Sequence, residues 1–264
     1  MLIRVLMENS AVHEGFIAEH GLSLYIEANG KKILFDAGQT DAFAENAAKL
    51  GVDLAAVDLC VLSHGHYDHS GGLLRFLSLN DHAPVYMHQL ADEPHYNGTE
   101  KYIGIAQELI GHSRVILTGD DQDLGSGMRL TTCNSLAHGC PASARGMTVL
   151  RGGEFTQDNF AHEQYLVIEE NGKRTVISGC SHKGILDIVR WLEPDVLVGG
   201  FHFMKLDPQG EDKAFLENAV QALLAQNCTY YTGHCTGEAA FAFLKERMGD
   251  HLQAIPAGTE ICME

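Results

Sequence analysis

The chain contains one short pattern twice, and this repeat constrains the fold more than any other feature of the sequence. Residues 168–180, IEENGKRTVISGC, align without gaps on residues 26–38, IEANGKKILFDAG. Around each Asn-Gly pair the residues alternate and then continue into an apolar run, which is typical of a β-hairpin with a primed two-residue turn. The sequence therefore predicts two β-hairpins, and the second strand of the first hairpin ends at Asp36.

The segments that follow the two hairpins are also similar. TDAFAENAAKLG and GILDIVRWL have the apolar spacing of helices, and each precedes a short apolar strand that ends in histidine, DLCVLSHGH or DVLVGGFHF. Two related units, about 1–80 and 160–264, predict one domain of residues 1–264 in which two mixed sheets pack face to face with helices outside. The alternative is that the repeat reflects only the common chemistry of Asn-Gly hairpins.

The segment between the two units, residues 80–160, is rich in glycine and shows no clear periodicity. Long irregular segments in compact domains usually cover or shape a site, so we expect this part of the chain to be loop-rich. Near the C-terminus, residues 215–227 and 238–249 predict helices, and a strand between them runs into the motif YTGHCTG.

The composition excludes several classes of function. The 264 residues include 18 Lys and Arg against 35 Asp and Glu, a formal net charge of −17 at pH 7, so we expect no nucleic-acid or RNA-processing role. The chain has no apolar run long enough for a membrane span and no signal-peptide pattern, which predicts a cytoplasmic protein that does not bind membranes. Seven cysteines without a C-x-x-C motif predict no disulfide framework.

The strongest chemical signal is SHGHYDHSGG, residues 63–72, which follows the apolar strand DLCVLS. It places His64, His66, Asp68 and His69 within six positions. Imidazole nitrogens with a carboxylate oxygen suit zinc, manganese or iron. The first two histidines can share one ion and the last two residues can turn toward a second, so further ligands must come from elsewhere. Such a metal pair would generate a metal-bound hydroxide near neutral pH.

With H-x-H-x-D-H, the FDAG motif at Asp36 and the TGHCTG motif at His234, the chain resembles the metallo-β-lactamase superfamily over nearly its whole length. The resemblance implies a four-layer αββα sandwich and two divalent metal ions, with zinc as the first expectation and manganese or iron as alternatives. It also implies that Asp36 orients a histidine ligand through a hydrogen bond and that His234 binds the second ion. The motifs EHGLSLYIE, GCSHKGI and GGFH resemble the branch of metal-dependent hydrolases that includes dihydropterin ribofuranosylaminobenzene 5'-phosphate synthase.

The chain departs from the superfamily pattern after the second hairpin. Most relatives have Ser-Gly-Asp there, with a bridging aspartate, whereas this chain has Ser-Gly-Cys180. Either the Cys180 thiolate replaces the carboxylate as a metal ligand or Cys180 is a buried, inert thiol. The third-motif histidine also lacks a direct match. His182 is the preferred candidate to complete the first metal site, and His138 and His162 are the alternatives.

Other polar residues are expected near the site. His202 is predicted to support the ligands or to face the substrate, where it could protonate a leaving group, and Asp68 to act at the catalytic centre as well as to bind metal. His20 either approaches the cleft or has a hydrogen-bonded structural role. Gly71 and Gly72 either present backbone N–H groups to an anion or only permit tight packing. Basic residues that could anchor a phosphate, or that are simply solvated, are Lys183, Arg145, Arg151 and Lys205. Histidines expected to have no role in the site are His13, His82, His88, His95, His112 and His251.

The predicted function is a metal-dependent hydrolase, with two metal ions, that acts on a small phosphorylated metabolite. The first alternative is the synthase reaction, in which a pterin diphosphate condenses with an aminobenzene ribotide and the metals bind the diphosphate leaving group. The second alternative is a non-catalytic metal or ligand sensor that retains the fold. Oxygen reduction is not expected, because the di-iron relatives carry H-x-E-x-D and the middle position here is His66.

Overall fold

The computed structural model describes residues 1–136, 139 and 144–263. Two seven-stranded mixed sheets pack face to face, and helices cover their outer faces. This four-layer arrangement confirms the αββα sandwich predicted from the sequence. Within the described ranges, no helix has the length and apolar character needed to cross a bilayer.

The strands are short, and most are joined by turns or helices to a neighbour in the same sheet. In chain order they are β1 (Leu2–Met7), β2 (Ser23–Ala28), β3 (Lys31–Phe35), β4 (Leu59–Val61), β5 (Val85–His88), β6 (His95–Asn97), β7 (Lys101–Tyr102), β8 (Val115–Thr118), β9 (Asp121–Gly125), β10 (Met128–Thr131), β11 (Met147–Arg151), β12 (Glu154–Gln157), β13 (Tyr165–Glu170), β14 (Lys173–Ile177), β15 (Val196–Val198), β16 (Thr229–Thr232), β17 (Leu252–Ala254) and β18 (Glu260–Cys262).

The first large sheet has the strand order β18-β1-β2-β3-β4-β5-β8, and the second has the order β17-β16-β15-β14-β13-β10-β9. In each sheet an antiparallel hairpin continues into parallel strands: β3 pairs with β4, and β14 with β15. The helices are α1 (Ala42–Lys49), α2 (Tyr67–Ser70), α3 (Leu73–Leu79), α4 (Ile185–Leu192), α5 (Lys213–Leu224) and α6 (Glu238–Met248).

Both predicted hairpins have the primed turn. Asn29 and Gly30 have φ angles of 49° and 74°, and Asn171 and Gly172 have 53° and 76°. Positive φ at both central residues matches the right-handed twist of the flanking strands. The elements β2, β3, α1 and β4 recur in the same order as β13, β14, α4 and β15. Their origin by duplication stays a prediction.

The segment of residues 80–160 also contains regular structure that the sequence did not indicate. The described part of this segment contains strands β5 to β12, and four of these strands form a third sheet in the order β12-β11-β6-β7. Each strand has two to five residues, too few to show a clear period. Glycines at positive φ, such as Gly98 and Gly153, occupy turns between them.

The core is divided by the sheets into three apolar layers. Residues such as Phe35 and Ile168 fill the space between the two large sheets. Phe43 of α1 and Phe76 of α3 pack on the outer face of the first sheet, and Leu216 of α5 belongs to the layer over the second. Full burial of each such side chain stabilises the fold by roughly 1.5–3 kcal/mol relative to exposure. The sandwich therefore holds its strand ends in fixed positions.

Candidate metal centre

The predicted site residues follow the carboxyl ends of neighbouring strands. Asp36 follows β3, His64 lies beyond β4, Cys180 beyond β14, His202 beyond β15 and His234 beyond β16. Each of these strands runs parallel to at least one of the others in its sheet, so these ends meet at one edge of the sandwich. The structure thus brings together residues that are up to 198 positions apart in the sequence, from Asp36 to His234.

Asp36 organises two of the histidines from beneath. Its Oδ2 atom lies 2.6 Å from Nδ1 of His69 and also accepts the hydroxyl hydrogen of Ser63 at 2.7 Å. Since that hydroxyl donates to Asp36, its oxygen is free to accept from Nδ1 of His64, 2.8 Å away. Both rings therefore hold a proton on Nδ1 and direct Nε2 into the site. Asp36 thus has the role that was predicted for it, which is to orient histidine ligands through hydrogen bonds.

The first group of donor atoms comes from His64, His66 and His182. One nitrogen from each lies within 4.8 Å of the others, and Nε2 of His64 is 3.2 Å from Nε2 of His182. Two nitrogens bound to one tetrahedral zinc ion lie roughly 3.4 Å apart, given Zn–N distances of about 2.0–2.1 Å. These three histidines are the set proposed from the sequence for the first ion. His138, an alternative to His182, lies outside the described residues.

The second group consists of Asp68, His69 and His234. Nε2 of His69 lies 3.2 Å from Nε2 of His234, and Oδ2 of Asp68 lies 3.4 Å from the latter atom. Nδ1 of His234 lies 2.9 Å from Oδ1 of Asn9, which also accepts from the Gly21 N–H and so is an oxygen acceptor. The His234 proton is therefore on Nδ1, and its Nε2 presents a lone pair to the site.

Cys180 lies between the two groups. Its Sγ atom is 3.2 Å from Nε2 of His69, and the donor atoms of Cys180, His64 and His69 all lie within 4.8 Å of one another. Burial raises the pKa of this thiol well above its ordinary value, so a metal ion has to displace its proton on binding. The sulfur therefore lies where it could serve as a ligand together with residues of either group.

The charge state of the site follows from its burial. Burial lowers the pKa of His64, His66 and His182 well below the usual range, and the neighbouring histidines lower it further for all three. These rings are therefore neutral at pH 7, the form that binds metals. Burial opposes ionisation of Asp68, but its interactions with His69, His20 and His234 outweigh it and hold the pKa of Asp68 well below its usual value.

His20 and His202 border the two groups from the open side. Nε2 of His20 lies 3.3 Å from Oδ2 of Asp68, and its side chain is 41% exposed. The ring centroid of His202 is 4.3 Å from that of His182. Burial, with smaller effects of Lys205 and other neighbours, lowers the pKa of His202 to about 3, so the ring is neutral at pH 7. It has to gain a proton before it can act as an acid.

A cavity of about 160 Å³ opens above these residues. Its basic side chains are Lys101 of β7 and Lys205, and only the second was among the phosphate-binding candidates from the sequence. The other residues of the cavity wall are His20, His66, Tyr67, Asp68, Asn97, Ile103, Met147, Cys180, His182, His202, Met204, His234 and Cys235.

The remaining phosphate-binding candidates do not line this cavity. Lys183 is fully buried, and its Nζ atom donates to the backbone carbonyls of Thr132 and Glu163. Arg151 forms a bidentate pair with Glu93, and Arg145 is not part of the described cavity wall. Lys183 is therefore neither a phosphate anchor nor a solvated surface residue, the two roles left open by the sequence, because its ammonium group is directed inward to these two carbonyls.

Gly71 and Gly72 permit tight packing. A Cβ atom at Gly71 would lie 2.0 Å from the carbonyl oxygen of Gln39, and one at Gly72 would lie 2.3 Å from that of Ala37. The Gly71 N–H already donates to the carbonyls of Gly38 and Tyr67. Its N–H is thus not available to an anion.

Several supporting residues were missed by sequence reasoning. Glu8 accepts the backbone N–H of His234, and Asn9 fixes the ring of the same histidine. Asp158 and His95 lie behind His66, although His95 had been expected to have no role. None of these residues belongs to a recognisable motif. The local sequence around them gave no signal of these contacts.

The family model of the metallo-beta-lactamase superfamily matches residues 17–152. The crystal structure of Tm1679, a metal-dependent hydrolase of the beta-lactamase superfamily, is similar to this chain with a TM-score of 0.82 and 31% identity, covering 100% of this chain and 99% of that one. The fold, the arrangement of the site and the sequence therefore all indicate a superfamily whose members are mostly metal-dependent enzymes. The chain belongs to the metallo-beta-lactamase superfamily.

Two curated proteins of Methanocaldococcus jannaschii are similar to the chain over most of their length. One is the uncharacterized protein MJ0448, 29% identical over 253 residues that span 93% of this chain and 94% of the relative. The other is 7,8-dihydropterin-6-methyl-4-(beta-D-ribofuranosyl)-aminobenzene-5'-phosphate synthase, 29% identical over 273 residues that span 92% of this chain and 90% of the relative. These similarities place the chain near the branch expected from its motifs.

Proposed function

We propose that the protein is a hydrolase with two zinc ions that acts on a small phosphorylated metabolite. The observation that carries this proposal is the pair of Nε2 atoms of His69 and His234, which face each other at 3.2 Å. Both rings have their proton on Nδ1, as their hydrogen bonds to Asp36 and Asn9 require. Two facing lone pairs repel each other unless a positive charge lies between them, and a metal ion or a proton can supply that charge.

A similar pair of atoms supports a metal at the first group. Nε2 of His64, a ring whose proton is on Nδ1, faces Nε2 of His182 at 3.2 Å, as the corresponding atoms of His69 and His234 do in the second group. Neutral imidazoles are well suited to zinc. A donor set of imidazoles, one carboxylate and one thiol favours zinc over magnesium or calcium, which prefer oxygen ligands alone. We therefore assign His64, His66 and His182 to one ion and Asp68, His69 and His234 to the other, with Cys180 between them.

When bound, ions of this kind supply Lewis-acid activation of a water nucleophile and of a phosphoryl oxygen. The chain supplies the rest. Asp68 is ionised and accessible from the cavity, where it can orient the nucleophilic water by accepting its hydrogen. His202 is positioned to hydrogen-bond the leaving group, and a phosphate dianion in the cavity would favour its protonated form. Lys101 and Lys205 are positioned to bind the phosphate oxygens.

The test measures metal content and turnover on the same samples. Purified protein is expected to contain two zinc ions per chain by plasma mass spectrometry and to hydrolyse bis-p-nitrophenyl phosphate or p-nitrophenyl phosphate. Dialysis against a chelator should abolish hydrolysis, and added zinc should restore it. His66→Ala is expected to lose metal and activity together, whereas His82→Ala, on a side chain that is 56% exposed, should change neither. Full activity in metal-free protein would overturn the proposal.

A synthase reaction is the second candidate, favoured by the 29% identity to the methanopterin synthase over 92% of this chain. In that reaction the aminobenzene ribotide attacks a pterin diphosphate, and the same basic residues would hold the diphosphate. Incubation with both substrates distinguishes the two candidates. Coupled product together with diphosphate identifies a synthase, whereas phosphate or diphosphate release without coupling supports the hydrolase.

A further inference from the structure

A buried group of three side chains, His95, Asp158 and His162, lies behind the first set of metal-binding residues. Each is no more than 1% exposed, and one donor atom from each, with one nitrogen of His66, lies within 4.8 Å of the others. His95 begins β6 and Asp158 follows β12, so the four-stranded sheet carries both residues to this position. The sheet that was not predicted from the sequence thus places a carboxylate against the metal-binding loop.

His162 lies between that carboxylate and the loop. Its Nδ1 atom accepts the backbone N–H of Gly65 at 2.9 Å, so the proton of the neutral ring is on Nε2. Nε2 lies 3.4 Å from Oδ2 of Asp158. Burial, and then the effect of His95, lowers the pKa of His162 to about 4, which keeps the ring neutral at pH 7.

Asp158 is itself held by several donors. Its Oδ1 atom accepts the N–H of Phe160 at 2.7 Å, and its Oδ2 atom accepts from Nδ1 of His95 at 2.7 Å. The other nitrogen of His95 lies 3.3 Å from the carbonyl oxygen of Leu90. Burial opposes ionisation of Asp158, but the two histidines outweigh it and hold the pKa of this carboxyl well below its usual value. The group therefore presents a fixed negative charge.

The loop that this group contacts is held by its backbone. Gly65 lies between His64 and His66, and a Cβ atom on it would lie 2.2 Å from the carbonyl oxygen of Ala91. Nε2 of His66 is buried without a hydrogen-bond partner, and the ring centroid of His66 is 5.6 Å from that of His162. A histidine that binds metal through one nitrogen generally donates the other N–H to a carboxylate or carbonyl, which fixes the ring.

We propose that Asp158 and His162 are positioning residues for the first metal ion. Asp158 is the carboxylate toward which His66 directs its Nε2–H when the other nitrogen binds the ion, and His162 fixes the Gly65 amide between the two ligands. This inference rests on the proposed metal centre. A third metal ion within the group is disfavoured, because the Nε2 atom of His162 carries a proton.

Asp158→Asn tests the proposal in the intact protein. The asparagine keeps an oxygen for the Phe160 N–H but presents an amide N–H₂ to the histidines. Loss of such supporting partners typically weakens metal binding by about 10- to 100-fold. We expect the affinity for one of the two zinc ions to fall by this factor and the affinity for the other to stay unchanged. Competition with a chromophoric chelator measures both affinities. The visible spectrum of the cobalt-substituted protein should change as well, which a loss of stability alone does not produce.

A second variant and a matched control complete the design. His162→Asn keeps an acceptor near the Gly65 N–H but removes the connection to Asp158, so we expect a smaller loss of affinity in the same direction. His88→Asn is the control. His88 is also buried, its Nδ1 accepts the N–H of Leu90 at 3.2 Å, and it belongs to none of the described donor groups. We expect its zinc affinities and cobalt spectrum to match those of the wild type.

The outcomes separate this inference from the proposed function. Wild-type zinc affinities and an unchanged cobalt spectrum in His162→Asn and Asp158→Asn would overturn the positioning role and leave the metal centre intact. If Asp158→Asn fails to fold, His162→Asn decides alone. The positioning role would also be overturned if the wild-type protein bound a third zinc ion that Asp158→Asn no longer bound. His95, Asp158 and His162 would then bind a metal ion themselves. A wild-type protein that binds no ion overturns the metal centre and this inference with it.

Discussion

The Nε2 atom of His69 lies 3.2 Å from the Sγ atom of Cys180, the residue that stands where the superfamily resemblance implied an aspartate. The opposite ring nitrogen of His69 lies 2.6 Å from Asp36, so the lone pair of Nε2 points toward the sulfur. The thiol therefore lies among ligand atoms. The geometry favours ligation over an inert role, and the two alternatives left open by the sequence differ in a measurable way.

Cys180→Ser should weaken zinc binding by more than tenfold and lower turnover, because a neutral hydroxyl is a poor substitute for a thiolate ligand. Cobalt-substituted wild-type protein should show a thiolate-to-metal charge-transfer band in the near ultraviolet, and the variant should lack it. Cys60→Ser is the matched control, since Cys60 is also fully buried but belongs to no donor group among the described residues. A wild-type spectrum without the band would make Cys180 an inert thiol.

Asp36→Asn should weaken binding of both ions. Asp36 contacts His69 directly and His64 through the Ser63 hydroxyl, so the substitution releases one ligand of each ion. We expect zinc affinity to fall by about 10- to 100-fold, measured by chelator competition. Asp58→Asn, on a side chain that is 38% exposed, should leave both affinities unchanged. An equal effect of the two substitutions would show that the loss reflects general destabilisation.

The sequence predicted the part of the site that local patterns encode. His64, His66, Asp68 and His69 lie in one contiguous motif, and the two Asn-Gly hairpins with their following strands predicted which strand ends meet. His182 could be selected because its distance from the end of the second hairpin placed it at the same edge. These predictions depended on contacts within a few residues or on strand order, which periodicity and turn chemistry determine.

The rest of the site depends on contacts between distant segments. Asn9 contacts His234 across 225 residues, and His95 contacts Asp158 across 63. A lone asparagine or histidine has the same local sequence whether or not it supports a metal ligand. The short strands of the third sheet carry His95 and Asp158, and their polar composition resembles that of loops. The roles of these residues therefore depend on how distant strands pair, and the local sequence pattern does not specify that pairing.

Lys101→Met and Lys205→Met should each raise KM for a phosphorylated substrate by about tenfold and change kcat little. A charge-assisted hydrogen bond contributes roughly 1.5–3 kcal/mol, and about 1.4 kcal/mol corresponds to a factor of ten. Both lysines line the cavity, whereas Lys49 at the end of α1 does not, so Lys49→Met is the control. Steady-state kinetics over a range of ionic strength measure the effect. Unchanged KM in both variants would argue against a phosphorylated substrate.

Glu170→Gln should destabilise the protein at pH 7 by about 1 kcal/mol, because Glu170 joins the two hairpins. Its carboxylate accepts the N–H of Asn29, in the first hairpin turn, and lies 3.0 Å from the amino group of Met1. Burial raises the pKa of Glu170, but these two partners outweigh it and the pKa is lowered.

A carboxyl with a lowered folded-state pKa contributes stability above its unfolded pKa of about 4.3 and loses that contribution as the pH falls. The difference in unfolding free energy between wild type and Glu170→Gln should therefore be full at pH 7 and shrink as the pH falls below 4.3. Urea denaturation at pH 7 and at a series of lower pH values measures it. Glu169→Gln removes an exposed pair with Arg174 on the same hairpin and should change stability by less than about 0.5 kcal/mol. A difference that stays constant with pH would show that charge at Glu170 does not contribute.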